Sequence, residues 1–178
     1  MKTRNILILL TVLIASTLSA QSISIGPQLG FAKSSDADKA TVLPAIAARL
    51  NLIGLSVEGS IGYKSDEYSD GQIKTKSYPV LLTGMLGIFP MIHAEAGIGW
   101  YNTKIDYSSE LNTLGVNDET KQEVGYHIGA GAEIPLGNVV LTGDLRYVFL
   151  NVDFNNTSKL ASAKSNYYTI NVGLLFKL

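Results

Sequence analysis

Cysteine is absent from this chain, which excludes disulfides and a lipid-modified N-terminal cysteine whatever compartment it enters. Surplus charge is absent too: 14 Lys and Arg stand against 15 Asp and Glu, a balance that argues against nucleic acid as a partner. Long apolar runs are nearly absent. Hydrophobic residues make up 46% of the 178, yet only one extended apolar run occurs, Ile6 to Ala15, interrupted by Thr11. No helix-period segment, linker or low-complexity tract follows it, so the remainder reads as one domain, large enough to bury a core.

The apolar run lies in MKTRNILILLTVLIASTLSAQ, with Lys2 and Arg4 before it and small residues ending at Ser19 and Ala20 after it. This is the layout of a secretory signal peptide, its apolar part too short to span a bilayer stably. Residues 1–20 are read as the leader, cleaved after Ala20, and 21–178 as the mature domain. Loss of Lys2 and Arg4 moves the formal net charge from −1 to −3.

What is present is alternation. In QEVGYHIGAGAEIP, Gln122 to Pro135, the even positions from Val124 to Ile134 are apolar or Tyr, and the odd ones mix Glu123, His127, Glu133 and glycine. A period of two marks a strand, whose successive side chains point to opposite faces. The same reading gives eight strands, near Ser22 to Lys33, Val42 to Leu52, Leu55 to Lys64, Ser77 to Ile88, Met91 to Tyr101, Gln122 to Ile134, Val139 to Leu150 and Asn166 to Leu178. All are long enough to cross a bilayer when tilted, which takes about nine to eleven residues. Their connections alternate. Ile53-Gly54, Phe89-Pro90 and Pro135 to Asn138 are tight, whereas SSDADKA, SDEYSDGQIKTK, NTKIDYSSELNTLGVNDETK and NVDFNNTSKLASAKS are long and polar. That rhythm predicts an all-β, eight-stranded antiparallel up-and-down barrel with its long loops on one side.

Parity sorts the side chains. One face carries no charge; the other collects Gln28, Arg49, Asn51, Glu58, His93, Glu95, His127, Glu133, Asp144, Arg146, Asn171 and Lys177. A soluble, lipocalin-like barrel would turn the apolar face inward, and a membrane barrel would turn it outward. Aromatic placement separates the two. Phe31, Tyr63, Tyr78, Trp100, Tyr126, Tyr147, Phe149 and Tyr168 all have apolar-face parity and all fall at strand ends beside a long loop. A belt at one level is expected at a membrane interface and is not required by a soluble core.

The inward polar set reads as a structural network. A two-residue turn at Ile53-Gly54 places Arg49 opposite Glu58, the arrangement a narrow lumen favours because an unpaired charge there is costly. A four-residue turn at Pro135 to Asn138 would place His127 beside Arg146 and Gly129 beside Asp144, with Glu95 and Glu133 close in height. No catalytic constellation, cofactor motif or complete metal set stands out. Gly125, Gly129 and Gly131 lack the spacing and following helix of a phosphate loop, and read instead as relief of crowding in a small barrel. His93 and Glu95, at i and i+2, could ligate a metal, but two ligands without a third do not make a site. Asp66, Glu67 and Asp70 read as a solvated loop tip.

The leader, the alternating strands and the final NYYTINVGLLFKL together resemble the small eight-stranded bacterial outer-membrane β-barrels, the OmpA-like and OmpX-like porin-family domains. In that family the last strand, with alternating apolar residues and a terminal aromatic, is read by the barrel-assembly machinery. Tyr168, Ile170, Val172, Leu174, Phe176 and Leu178 match the alternation, although the end is Leu and the aromatic sits two positions earlier. The resemblance implies an integral barrel in the outer membrane of a Gram-negative bacterium, exported by the general secretory route. It implies a monomer, one chain per barrel, with outer-membrane lipids and lipopolysaccharide as neighbours and no enzymatic role. The lipid A deacylases of similar size act through a His and Ser two residues apart on the lipid side, whereas His127 is followed at that spacing by Gly129 and His93 by Glu95. The expected role is structural or surface-interactive with a side-chain-filled lumen. Adhesion through the long loops, with a loop-binding partner not yet known, and a narrow porin-like channel for small solutes are the alternatives.

Overall fold

The computed structural model describes residues 22–34, 39–68, 73–107, 119–150 and 166–178. The expected leader and Asp70 lie outside them. Strands β1 (Ser22–Ser34), β2 (Thr41–Asn51), β3 (Leu55–Gly62), β4 (Lys64–Tyr68), β5 (Ile73–Phe89), β6 (Ile92–Tyr107), β7 (Glu119–Leu136), β8 (Val139–Phe149) and β9 (Tyr167–Lys177) form one antiparallel sheet. Its order is β3-β2-β1-β9-β8-β7-β6-β5-β4, and pairing of β3 with β5 closes it. β4 continues β3: both pair with β5 in unbroken register, Ile61 opposite Val80 and Lys64 opposite Ser77. The two therefore make one stave, and the closed barrel has eight. Closure matters physically because β3 pairs with both β2 and β5, so the eight staves have no open edge where lipid surrounds the sheet, while the β4 extension pairs with β5 alone.

The tight turns fix the register. Gly54 and Gly137 have φ of 74° and 66°, the left-handed region that glycine enters without a Cβ clash. The third turn is Pro90-Met91, with Phe89 opposite Ile92 and an irregularity between Gly87 and Phe89. Pro90 takes the position after Phe89 that favours it, and Met91 takes a φ of 71° where glycine is usual, a locally strained residue. The alternation in the sequence starts the next strand at Met91; this positive φ puts Met91 in the turn instead.

Two further differences have simple causes. Leu136 pairs with Val139, so the β7–β8 turn is two residues, Gly137-Asn138, and not four. The polar segments assigned to long loops are in part strand. β5 and β6 pair from Ile73 with Tyr107 down through Tyr78 with Asn102, and β7 starts at Glu119. From Lys74 to Ser77 and from Asn102 to Asp106 only Ile105 is apolar, so hydrophobic periodicity does not mark these extensions.

The faces separate as parity predicts. Ile46, Ile61, Ile128, Leu145 and Ile170 point outward and are exposed, while Arg49, Glu58, His127, Asp144 and Arg146 are buried inside. Phe31, Tyr78, Trp100, Tyr126, Phe149 and Tyr168 lie on the outer face, and neighbouring rings touch. Tyr63 and Tyr78 are 5.3 Å apart between centroids, Tyr147 and Phe149 4.7 Å, and Tyr147 and Tyr168 4.5 Å. Two of these contacts are tilted and the Tyr147–Phe149 pair is edge-on, a favourable arrangement for aromatic rings.

The lumen as candidate functional site

The interior is built in layers. Nearest the long loops, Ala32, Leu43, Tyr101, Ile105, Val148, Leu150 and Tyr167 form an apolar cluster inside the barrel. Tyr101 and Tyr167 are 1% exposed. Inward parity at Tyr101 and Tyr167, neither of them a belt residue, is the sequence signal for this plug. Beside the cluster, the Lys64 ammonium lies 4.4 Å from the centre of the Tyr167 ring, bonds to Ser34 Oγ at 2.7 Å and pairs with Asp66. Asp66, read from sequence as a loop-tip group, is thus buried in a strand, with Ser34 Oγ donating to its Oδ2 at 2.9 Å. Glu67 faces outward and pairs with Lys74.

The middle layer is ionic. Arg49 donates from Nε at 3.0 Å and Nη2 at 2.6 Å to Glu58 Oε2, its cross-strand neighbour across the β2–β3 turn. Its Nη1 pairs with Glu133. Glu58 also accepts from Gln28 Nε2 at 3.1 Å and from Arg146 Nη2 at 3.4 Å. Arg146 holds Glu95 in a bidentate pair, Nε to Oε1 at 2.6 Å and Nη2 to Oε2 at 2.9 Å, the planar match that makes arginine suited to buried carboxylates. Each arginine is therefore shared between two carboxylates, and Glu58 joins the two halves.

The histidines separate. His93 Nε2 lies 3.1 Å from Asp144 Oδ1, with its Nδ1 3.8 Å from Glu133. His127 bonds to Thr83 Oγ1 at 2.9 Å. The sequence-based pairings across β7 and β8 are corrected: Arg146 stands opposite Gly129, Asp144 opposite Gly131, and His127 opposite Val148. The two-residue turn moves every partner on β8 by two positions, which keeps parity but changes neighbours. Gly129 and Gly131 leave no empty channel. A Cβ on Gly129 would stand 2.6 Å from Glu95 Oε1, and one on Gly131 2.6 Å from His93 Nε2, so the side chains of β6 occupy the space that the glycines of β7 leave.

At the short-turn end a cavity of about 370 Å³ is lined by Ser22, Asn51, Met85, His93, Glu133 and Lys177 among others. Glu133 borders it and is 28% exposed at its side chain; Lys177 is exposed at the rim. Above the ionic layer the next space, beside Gln28, Leu43, Arg146 and Tyr167, measures about 20 Å³, room for about one water. The structure also adds a third group to His93 and Glu95. Ligating atoms of His93, Glu95 and Asp144 lie within 4.8 Å of one another, all buried. Sequence spacing could not reveal Asp144 as the third, because it arrives from β8 through the register of β7.

A closed sheet of eight staves with an apolar outer band, an aromatic belt and a charged interior is a transmembrane β-barrel. The chain belongs to the outer membrane protein β-barrel domain family, whose profile matches residues 6–177. No curated protein sequence matches it. Among solved structures it is similar to a major outer membrane protein from Thermus thermophilus, at 14% identity and a TM-score of 0.62, covering 89% of this chain and 100% of that one. It is similar to Neisserial surface protein A, at 14% identity and a TM-score of 0.55, over 89% and 97%. Ail, the attachment invasion locus protein of Yersinia pestis, solved with the heparin analogue sucrose octasulfate, gives 20% identity and a TM-score of 0.50 over 89% and 97%. At these identities the likeness is one of fold.

Proposed function

We propose that this barrel is a one-chain, non-enzymatic component of the outer membrane that stabilises the bilayer and presents its long loops outside, with no open path through its centre. The observation that carries the reading is the stack inside it, in which the Arg49, Glu58, Arg146 and Glu95 network sits beneath the cluster of Tyr101, Ile105 and Tyr167. Export by the secretory route, with removal of residues 1–20, follows from the leader. Outer-membrane lipids and lipopolysaccharide are its neighbours. Just beyond the belt, outward-facing Lys74, Lys76 and Lys104 accompany Glu67 and Asp106, a mixed charged rim suited to anionic headgroups. The alternating residues from Tyr168 to Leu178 serve as the signal for the assembly machinery, and the belt from Phe31 to Tyr168 sets the depth of insertion.

A second reading, surface attachment, is favoured by the paired extensions of β5, β6 and β7, whose strand ends at Tyr107 and Glu119 lie beyond the belt. The fold is shared with an attachment protein, though fold alone does not carry that role across. One experiment addresses both. Cells producing the full chain are fractionated, and intact cells are treated with an impermeant biotinylating reagent. Recovery in the outer membrane with labelling of Lys74, Lys76 and Lys104 is expected; recovery in the soluble fraction would defeat the proposal. Deletion of 108–118 should leave the barrel inserted and abolish cell attachment if the second reading holds.

A further inference from the structure

We propose that His93, Glu95 and Asp144 form a binding site for one divalent transition-metal ion, entered from the cavity at the short-turn end. Three observations converge on it. First, the donor set is complete for such an ion: an imidazole nitrogen and two carboxylate oxygens, with ligating atoms within 4.8 Å of one another. Zinc binds imidazole nitrogen and carboxylate oxygen at about 2.0–2.2 Å, and a site with three protein ligands keeps its fourth position open for water. Closing the three donors onto an ion needs a contraction that side-chain rotation supplies. Glu95 need not leave Arg146, because a carboxylate offers about four lone-pair positions.

Second, the site carries uncompensated negative charge. Among the described residues of the ionic layer, Glu58, Glu95, Glu133 and Asp144 face only Arg49 and Arg146, which leaves two surplus negative charges while the imidazoles are neutral. Glu133 borders the cavity and meets water. Asp144 does not: its side chain is fully buried, and among the described residues its Oδ2 has no hydrogen-bond partner. The nearest guanidinium nitrogen, Arg146 Nη2, stands 3.9 Å from that oxygen, beyond hydrogen-bond reach. A buried carboxylate in this state is costly, and a dication beside it removes the surplus of the whole layer.

Third, the site has an entrance. His93 and Glu133 both line the cavity of about 370 Å³, so an ion can arrive hydrated, pass Glu133 and exchange water for the three donors. The imidazole excludes magnesium and calcium as the preferred occupants, since those ions take oxygen ligands, and favours zinc, nickel or copper. Within the chain few rival sites exist, because it has no cysteine and two histidines.

The test uses the untagged full chain, folded in detergent micelles, stripped with a chelator and dialysed against Zn²⁺. About one zinc per barrel is expected, with a first shell containing one imidazole nitrogen by X-ray absorption. Asp144→Asn, which keeps the side-chain shape, should weaken binding at least tenfold, as should His93→Gln; His127→Gln should leave it unchanged. Heat-modifiable mobility on a gel confirms that each variant is folded, and Asp144→Asn carries the test if His93→Gln is not. Zn²⁺ should also raise the melting temperature of the wild type but not of Asp144→Asn. No retained zinc, zinc retained equally by folded Asp144→Asn, or displacement of zinc by an equal concentration of Ca²⁺ would each overturn the assignment.

Discussion

Arg49 is 1% exposed and bonded to two carboxylates on two different strands. Truncating it leaves Glu58 buried with a weakened set of partners, Gln28 and a single contact from Arg146 at 3.4 Å. Breaking a buried pair from one side costs about 3–5 kcal/mol, whereas replacing both members by apolar residues is often near neutral. Arg49→Ala is therefore expected to lower the unfolding free energy by about 3 kcal/mol, and Arg49→Met with Glu58→Met to recover much of it, both read by urea unfolding in lipid vesicles. A double variant as weak as the summed singles would separate the two residues energetically. Arg49 and Glu58 were legible in the sequence because Gly54 fixes a two-residue turn beside them. Arg146 was legible as an inward charge, but its bidentate partner was not, because Glu95 comes from a strand that is no neighbour of β8.

At the scale of elements, alternation found every stave and failed where both faces turn polar. Thr75 and Ser77 point in and Lys74 and Lys76 point out, so β5 above the belt has the hydrophobic pattern of a loop and the hydrogen bonding of a strand. Its outer face is held by charge: Lys76 Nζ lies 2.9 Å from Asp106 Oδ2 and Lys104 Nζ 2.8 Å from Oδ1. The hydrogen bonds from Lys104, then Lys76, hold the Asp106 carboxyl below the usual carboxylate range. A lowered folded-state value means that the pair's contribution is present above an unfolded value of about 3.9 and is lost as pH falls through the folded value. The contribution is small, since the group is solvated and screened by salt. NMR titration in nanodiscs should find Asp106 titrating below its unfolded value, and returning toward it in Lys76→Ala with Lys104→Ala. An unchanged titration in that variant would remove the lysines as the cause. β9 carries a different prediction. Phe176 is 49% exposed on the outer face, near the short-turn end and two residues from the terminus. A lysine there costs about 1 kcal/mol close to an interface and also disturbs the alternation from Tyr168, so Phe176→Lys should reduce folded yield in the outer membrane. Equal yield would count against the outward assignment of that face.

For the whole molecule, the number of staves decides more than the identity of any residue. Eight strands enclose an interior that side chains can fill, whereas water-filled porins use about sixteen to eighteen. Family membership invites the expectation of a pore, and the glycines of β7 leave room for one in the sequence. In the folded barrel that room is taken by Glu95 and His93, and above them Tyr101, Ile105 and Tyr167 close the lumen with apolar groups. An ion would have to cross from the cavity beside His93, through the bonded arginines, and then through the apolar cluster. Each stage is costly: the first breaks charge-assisted hydrogen bonds, and the second strips water from a charge with nothing to replace it. Purified protein in a planar bilayer is thus expected to give at most brief, low-amplitude events. Opening should require both barriers to fall, so Arg146→Ala alone should leave the bilayer silent while Arg146→Ala with Tyr101→Ala and Tyr167→Ala should conduct if it folds. Stable conductance steps in the wild type, scaling with salt and shifting when Arg146 or Glu133 is changed, would overturn the closed lumen and make solute passage the barrel's leading role.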